Sequence, residues 1–236
     1  FCESFHRATD GNPLLVHELL RALAAAEVAP VAGSVEAMER IAPDAVARSV
    51  RLRLTRVASE AAALARSLAV LGDGTDPKLV AELAGVHVEG LPKAMAALAG
   101  VELLRADMPL QFTHPLLRNS VYQGIAPHER PWAHARAAAT LSSLGATTEA
   151  VAAQLLLAPP GAFEGASATL RKAARAAAAE GAMENAAKYL RRALDEPVEG
   201  DERGEVLLAL GEAESATLGP ASGLTSLSEA LMPSSW

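Results

Sequence analysis

The sequence predicts a mainly α-helical protein, and three observations carry this prediction. Hydrophobic residues make up 50% of the 236 residues, whereas aromatic residues make up only 3%. Alanine and leucine dominate and β-branched runs are scarce, a composition that favours helices packed closely through small side chains. Apolar residues also recur at helical spacing between prolines and glycines. We expect a helical segment at 1–57, a small domain with a β-hairpin at 58–125, and antiparallel helical repeats at 126–236.

Two helices are expected in the first segment. Asn12 can cap the first helix, and Pro13 suits its first position, so the pattern predicts a helix from about 13 to 26. Pro30 and Gly33 then break it. A second helix is predicted from about 43 to 57, with an apolar face and several arginines around it: Val46, Val50 and Leu54, then Arg48, Arg51, Arg53 and Arg56.

The second segment has the element order of a winged helix. Short helices are predicted at 59–71, from Pro77 after the cap Asp76, and in "LPKAMAALAG" at 91–100. Residues 101–105 and 110–113 predict two strands around a turn at 106–109. A further helix from 115 to about 123 closes the unit. Three helices followed by a hairpin indicate a winged-helix domain at 58–125.

The third segment predicts paired helices. Their expected bounds are about 128–144, 148–157, 166–180, 183–195 and 202–217. In this region a set of residues matches the small, small, large, small spacing of a tetratricopeptide (TPR) helix pair, and Pro197 lies near the terminating proline. The set is Gly181, Ala186, Leu190 and Ala193. We therefore expect TPR-like repeats at 126–236, which would bind a protein partner or a small effector.

The net charge and the cysteine content limit which binding partners and which cellular compartment we expect for this protein. The formal net charge of −7 disfavours a general nucleic-acid binder, and the third short helix offers only Lys93, so we expect no direct DNA binding. No apolar run approaches the roughly 20 residues that span a bilayer, so we expect no membrane association. The single cysteine, Cys2, excludes an internal disulfide and suits a reducing cytosol. We expect a cytoplasmic protein.

Motifs for catalysis and metal binding are missing from the sequence. It contains no G-x-x-x-x-G-K-[ST] phosphate loop, no H-E-x-x-H zinc motif and no G-x-S-x-G nucleophile turn. The six histidines are scattered, and His128 and His134 lie six residues apart, which places them on different sides of one helix. We expect both at the surface. The sequence predicts no catalytic residues, no metal site and no enzymatic activity for this chain.

The stretch "LQFTHPLLRNSVY" at 110–122 carries a candidate anion site. If His114 caps a helix that starts at Pro115, the N–H groups of Leu116 and Leu117 point outward at the positive end of the helix dipole. Arg118 lies one turn further on the same side as His114, so one phosphate could meet imidazole, amides and guanidinium together. In the alternative interpretation His114 merely caps the helix and Arg118 is solvated.

Three stretches together resemble a known family. They are "RATDGNPLLVHELLRAL" at 7–23, "ARSVRLRLTRVASEAAALARSLAVLGDG" at 47–74 and "LQFTHPLLRNSVY". They are similar to the region after the nucleotide-binding core of STAND-class ATPases, above all the large ATP-binding transcriptional regulators of the LuxR type. The resemblance implies that 1–57 is a lid of the ATPase module, that Gly11 and Pro13 match its G-x-P motif near the adenine, and that His114 contacts the β-phosphate. Arg118 as a second phosphate contact is inferred from its position alone.

The resemblance also implies a role within a longer protein. The phosphate loop and acidic metal-binding strand expected upstream are missing from this sequence, as is a C-terminal helix-turn-helix. We therefore expect a middle segment that couples nucleotide state to the sensing of an effector or partner, with ATP or ADP bound in the full-length parent and not tightly by this segment. Two alternatives stay open: an α-helical interaction scaffold, and the same module in a multidomain cyclase or kinase.

Overall fold

The protein is mainly α-helical, as the sequence predicts. The computed structural model describes residues 1–9, 11–197, 201–218, 224 and 228. Within this part of the chain the α-helices are α1 Cys2–Thr9, α2 Pro13–Ala25, α3 Val35–Leu54, α4 Ser59–Leu71, α5 Pro77–Ala84, α6 Leu91–Gly100, α7 Pro115–Gln123, α8 Arg130–Ser143, α9 Thr148–Leu155, α10 Ala166–Ala179, α11 Met183–Leu194 and α12 Asp201–Leu218. The chain divides into two compact units, Phe1–Pro127 and His128–Trp236.

Helix α3 is longer than the sequence analysis predicts. It begins at Val35 instead of residue 43, and Pro43 lies inside it. A proline in a helix removes one backbone hydrogen bond. Here the helix continues through Pro43 because the two buried residues of its first half, Met38 and Ala42, pack against Leu19 and Leu23 of α2. Burial of apolar surface on this scale offsets the lost bond.

One hydrophobic core joins most of the first unit. Leu15 of α2 and Val46 and Val50 of α3 are buried in the same cluster as Leu64 and Leu68 of α4. The cluster also takes in side chains from α5, α6, the 103–112 stretch and α7. The predicted segments 1–57 and 58–125 therefore share a core within this unit.

The predicted β-hairpin is wrong. Residues 101–105 and 110–113 form no strands in the described structure, only an isolated antiparallel bridge between Leu104 and Phe112. Leu103 and Leu104 are both buried, so the stretch lacks the alternation of a half-buried strand. The Leu103 N–H donates to the Leu98 carbonyl at 3.0 Å, which ties the chain to the end of α6. Because the Leu103 N–H is used in this bond, it is not available to extend a β-ladder, and a single bridge forms.

The second unit follows the predicted helices closely. Helices α8 to α12 begin and end within two residues of the predicted bounds, and each packs against the next along the chain. Gly181 adopts a positive φ of 79° in the tight connection between α10 and α11. Ala186, Leu190 and Ala193 are all buried, as the repeat pattern requires. The predicted tail beyond 218 lies outside the described residues except for Leu224 and Ser228.

One of the two histidines expected at the surface is buried. His128 is exposed, but His134 on α8 is only 3% exposed. Its Nδ1 lies 2.7 Å from Oε1 of Gln154 on α9, which is also buried. Burial lowers the pKa of His134, and the hydrogen bond to Gln154 opposes that shift. The prediction failed because spacing between two histidines says nothing about which face of α8 packs against α9.

Candidate functional site at the start of helix α7

The backbone before α7 is held in place by the loop that follows α4. Gly74 donates its N–H to the Leu110 carbonyl at 2.9 Å, and the Phe112 N–H donates to the Asp73 carboxylate at 3.0 Å. Leu110 and Phe112 are buried in the core of the first unit. These contacts position the residue that precedes α7, which is His114.

His114 is the N-cap of α7, as the sequence predicts. Its backbone is extended, with φ −154° and ψ 142°, and Pro115 occupies the first helical turn. The imidazole Nδ1 accepts a hydrogen bond from the Leu116 N–H at 3.0 Å. A nitrogen that accepts carries no hydrogen, so in the neutral ring the hydrogen sits on Nε2. This capping bond therefore makes Nε2 the donor nitrogen of the ring.

The expectation of outward-pointing amides at this helix end is wrong. The Leu116 N–H is bonded to the His114 ring, and the Leu117 N–H donates to the His114 carbonyl at 3.0 Å. Both donors are used within the first turn. The positive end of the helix dipole is still present, because it is a sum over all peptide units of the helix.

Arg118 serves the end of another helix in this structure. Its Nε donates to the Ala69 carbonyl at 3.4 Å, in the last turn of α4. A Cβ placed on Gly72, the residue that ends α4, would lie 3.5 Å from Nη2 of Arg118. A cation at this place stabilises the negative end of the α4 dipole. Arg118 is half-buried, and a phosphate that met both Arg118 and His114 would require the guanidinium to leave Ala69.

Gly11 and Pro13 form an exposed turn into α2. Gly11 has a positive φ of 67°, and a Cβ there would approach Cε1 of His6 to 3.3 Å. Asn12 accepts a hydrogen bond from the Leu15 N–H at 3.3 Å, which confirms it as the cap of α2. Pro13 is the exposed first residue of that helix. Their local geometry is that of a capped helix start.

Helix α3 connects the two predicted contact regions. Both α2, which begins at Pro13, and α7, which begins after His114, pack against α3. The predicted nucleotide contacts thus lie at the N-termini of two helices that share one neighbour. No described contact joins Gly11 or Pro13 directly to His114 or Arg118.

A cavity of about 480 Å³ lies between α1, α3 and α7. Leu116, two residues after the cap, forms part of its wall, and its polar lining includes Arg7, Asp44 and Asn119. The full lining is Ser4, Arg7, Ala8, Glu39, Ala42, Pro43, Asp44, Val46, Ala47, Leu116, Asn119, Ser120 and Gln123. A helix predicted to begin at residue 43 could not indicate this cavity, because Glu39 and Ala42 of its wall precede that residue. The signal available was the spacing of Leu116, Asn119 or Ser120, and Gln123 along one face of α7.

These observations limit how a nucleotide could be held. The cavity sets one cation, Arg7, against two carboxylates, Glu39 and Asp44, a balance that disfavours a chain of phosphates. The Leu116 and Leu117 amides, which were predicted to be free, bond to His114 itself, and the Arg118 guanidinium bonds to the Ala69 carbonyl. The Nε2 atom of His114 is itself buried, so a phosphate reaches it only after a local movement. The described residues do not by themselves form a complete nucleotide site.

Comparisons with known proteins add no assignment. No protein-family model, no curated protein and no solved structure matches this chain. Among the described residues, no three histidine, cysteine, aspartate or glutamate side chains come together in an arrangement that could hold a metal ion. The helices of that same part of the chain include none with the length and apolar character needed to cross a membrane.

Proposed function

We propose that this chain is the regulatory middle segment of an ATP-dependent transcriptional regulator of the LuxR type. In this proposal residues 1–57 act as a lid, 58–125 as a winged-helix domain that has only a single β-bridge, and 126–236 as TPR-like repeats. The segment itself catalyses no reaction. Its role is to couple the nucleotide state of the parent to the binding of an effector or partner.

The observation that carries the proposal is the geometry of His114. Its ring is fixed by the capping bond from Leu116, and that bond assigns the donor role to Nε2. A neutral imidazole that donates from a helix N-terminus is suited to an anionic phosphate oxygen. Nε2 is buried in this structure, so the proposed contact requires a local movement that exposes it. The sequence resemblance implies a β-phosphate contact at the same position.

Each residue then has a defined task in the parent. The bound nucleotide supplies the phosphate anion. His114 donates Nε2–H to it, Pro13 packs beside the base, and Arg118 joins the phosphate only after releasing the Ala69 carbonyl. Because α2 and α7 both pack on α3, binding at either helix start favours one arrangement of all three. Coupling of this kind is typically about 1–3 kcal/mol.

The remaining expectations follow from the same proposal. The helical repeats take the protein partner or small effector, the segment makes no direct contact with DNA, and the parent works in the cytoplasm. ATP or ADP binds tightly only when the upstream phosphate loop is present.

A second candidate function is an α-helical interaction scaffold. It is favoured because the groups predicted to bind a phosphate are bonded within the protein: the Leu116 and Leu117 amides bond to His114, and Arg118 bonds to Ala69. In this function the "FTHPLL" stretch is only a capped turn. The same switch module in a multidomain cyclase or kinase would keep the His114 role and change the output domain.

The first test is the coding DNA on both sides of this segment. An in-frame phosphate loop upstream and a helix-turn-helix downstream are the expected result. A cyclase or kinase in frame would keep the switch and change its output. Stop codons close on both sides would contradict the regulator and leave the scaffold.

The second test measures ADP in the parent protein. We expect H114A to retain at least about tenfold less ADP after gel filtration, since a hydrogen bond to a charged group contributes about 1.5–3 kcal/mol. The matched control is H128A, which removes an exposed histidine of the second unit. Equal ADP content in wild type, H114A and H128A would contradict a phosphate contact at His114.

A further inference from the structure

A polar groove between α2 and α3 is lined by arginines. Its volume is about 240 Å³, and it belongs to the first unit. Four arginines border it, with a single carboxylate: Arg21, Arg48, Arg53 and Arg56, with Glu18. This cationic lining stands out in a chain whose formal net charge is −7.

Two of the four arginines already have partners. Arg53 donates to the Val101 carbonyl and lies 3.6 Å from the Glu102 carboxylate. Arg21 lies 4.0 Å from Glu18, one turn away on α2, and its side chain is 70% exposed. The Arg21 pair is long and exposed, so it holds its guanidinium only weakly.

The other two, Arg48 and Arg56, are uncompensated. Both are exposed, and within the described residues neither makes an ion pair or a side-chain hydrogen bond. Arg48 lies on α3, and Arg56 lies in the turn that follows the helix, eight residues further along the chain. Leu52, midway between them, lines the groove as well. Two guanidinium groups without an ion-pair partner among the described residues therefore border one groove.

The α3 dipole does not account for both arginines. Cations are favoured within the last turn of a helix, where Arg51 and Arg53 lie. Arg48 is six residues before the last residue of α3, Leu54, and the dipole effect has fallen off there. The helix dipole therefore does not explain why Arg48 lines the groove together with Arg21.

A second cavity continues the groove. It has a volume of about 410 Å³ and shares Ala22, Ala25, Ala45 and Arg48 with the first. Its other lining residues are Ala26, Arg40, Ile41 and Asp44. The two cavities together give an arginine-lined end and a wider end walled largely by alanine.

We propose that this groove binds a small phosphorylated ligand, with its phosphate or diphosphate group between Arg48 and Arg56. The groove, at about 240 Å³, is smaller than the roughly 300–1,000 Å³ of typical ligand pockets, so it does not hold a whole ligand by itself. It suits an anionic group alone, and the adjoining cavity has room for the rest of the ligand. Guanidinium groups match phosphate oxygens in a two-pronged geometry. The site uses neither His114 nor α7, so it stands or falls separately from the nucleotide contact.

The test is calorimetric titration of the 236-residue chain with inorganic pyrophosphate. We expect saturable binding that R48Q/R56Q weakens at least about tenfold, because two charge-assisted contacts are lost. The charge-matched control is R66Q/R136Q, which changes two exposed arginines outside the groove and should leave the affinity unchanged. No saturable binding, or equal weakening in both double variants, would overturn the site.

Two further measurements complete the test. R48K/R56K keeps the charge and loses the planar fork, so we expect an affinity between wild type and R48Q/R56Q. Wild-type affinity in the lysine variant would overturn guanidinium recognition. A hexaglutamate peptide that binds more tightly than pyrophosphate, and is lost in R48Q/R56Q, would overturn the small-ligand assignment in favour of an acidic peptide partner. Thermal unfolding by circular dichroism should be the same for all variants.

Discussion

The two units use arginine differently. In the second unit, three arginines of α10 and α11 are paired with carboxylates: Arg171 lies 2.6 Å from Glu202, Arg191 lies 2.9 Å from Glu214, and Arg192 lies 2.7 Å from Glu196. In the first unit, Arg48 and Arg56 line a groove and have no ion-pair partner among the described residues. The same side chain thus stabilises helix packing in one unit and is available for a ligand in the other.

The difference separates charged side chains that stabilise the fold from charged side chains that are available to bind a ligand. Alanine-rich helices bury little apolar surface per residue, so the second unit supplements its packing with ion pairs between helices. The first unit has a larger core of leucine and valine side chains, including Leu15, Val46 and Leu64. Arg48 and Arg56 make no side-chain hydrogen bond or ion pair among the described residues that would contribute to that packing.

Arg192 should be the most important charged residue for stability. It is 8% exposed, donates to the Ala158 carbonyl at 3.0 Å and forms an ion pair with the buried Glu196. Arg192 Nη1 and Glu196 Oε1 lie 2.7 Å apart but are not aligned for a hydrogen bond. The pair therefore stabilises the protein through the attraction of opposite charges. R192M should lower the unfolding free energy by about 3–5 kcal/mol, because Glu196 is left buried and unpaired. Urea denaturation measures the change.

The double variant R192M/E196Q checks the mechanism. Glu196 Oε2 accepts from the Gly161 N–H at 2.7 Å, and a glutamine can keep that bond without carrying a charge. Part of the lost stability should therefore return. A loss below about 1 kcal/mol in R192M, or a double variant no more stable than R192M, would contradict a buried charge pair as the cause.

Arg171 should have a smaller effect. Its side chain is 20% exposed and meets both Glu202 and Glu205 of α12. We expect R171A to destabilise the protein by about 1–2 kcal/mol, above the value for a single exposed pair because the site is a network and the stem is partly buried. R175A, an exposed residue one turn on, should change stability by less than about 0.5 kcal/mol. Equal effects from the two would show that the network contributes nothing.

Substitutions of the α7 cap, His114, distinguish its contribution to stability from its proposed contact with a ligand. H114A loses the side chain that accepts the Leu116 N–H, and helix caps contribute about 0.5–2 kcal/mol. H114N should change stability little, since asparagine is among the best N-cap residues. Chemical denaturation of both variants gives the comparison. If H114N were as destabilised as H114A, packing of the imidazole would explain the effect, and capping would not.

The smallest effect concerns pH. Burial lowers the pKa of His134 below its ordinary value of 6.5, and the hydrogen bond to Gln154 opposes this only in part. The unfolded chain therefore binds the proton more readily than the folded chain. This contribution to stability is complete above pH 6.5 and is lost progressively as the pH falls toward the lowered pKa.

H134Q should remove that part of the pH dependence. The measurement is the urea midpoint at pH 7.5 and pH 5.5 for wild type, H134Q and the exposed-histidine control H128Q. Wild type and H128Q should lose more stability than H134Q between the two pH values. The same slope in all three proteins would contradict a buried neutral His134.

Local interactions were predictable from the sequence. Caps join residues two or three positions apart, so Asn12, Asp76 and His114 could be identified from residue type and spacing. The helices of the second unit were equally clear, because proline and glycine mark their ends. Pro43 misled the same reasoning, since burial of Met38 and Ala42 keeps α3 intact around it.

Contacts between distant residues could not be predicted. Arg171 meets Glu202 across 31 positions, and Arg118 meets Ala69 across 49. Nothing in the spacing of either pair indicates the contact, because it depends on how helices pack. The same holds for the α2–α3 groove: the arginines of α3 were visible as a cluster, but Arg21 on its opposite wall was not. For the candidate site, the His114 cap was therefore predictable from the sequence, whereas the residues that contact the site from other helices were not.

The central claim is that His114 contacts the nucleotide in addition to capping α7. The most direct test is the dissociation rate of fluorescently labelled ADP from the parent protein carrying H114N. This variant keeps the cap and removes the imidazole donor, so fold stability and ligand contact are separated. We predict wild-type stability with ADP released at least about tenfold faster. Wild-type stability together with wild-type release would contradict the claim and leave His114 as a helix cap alone.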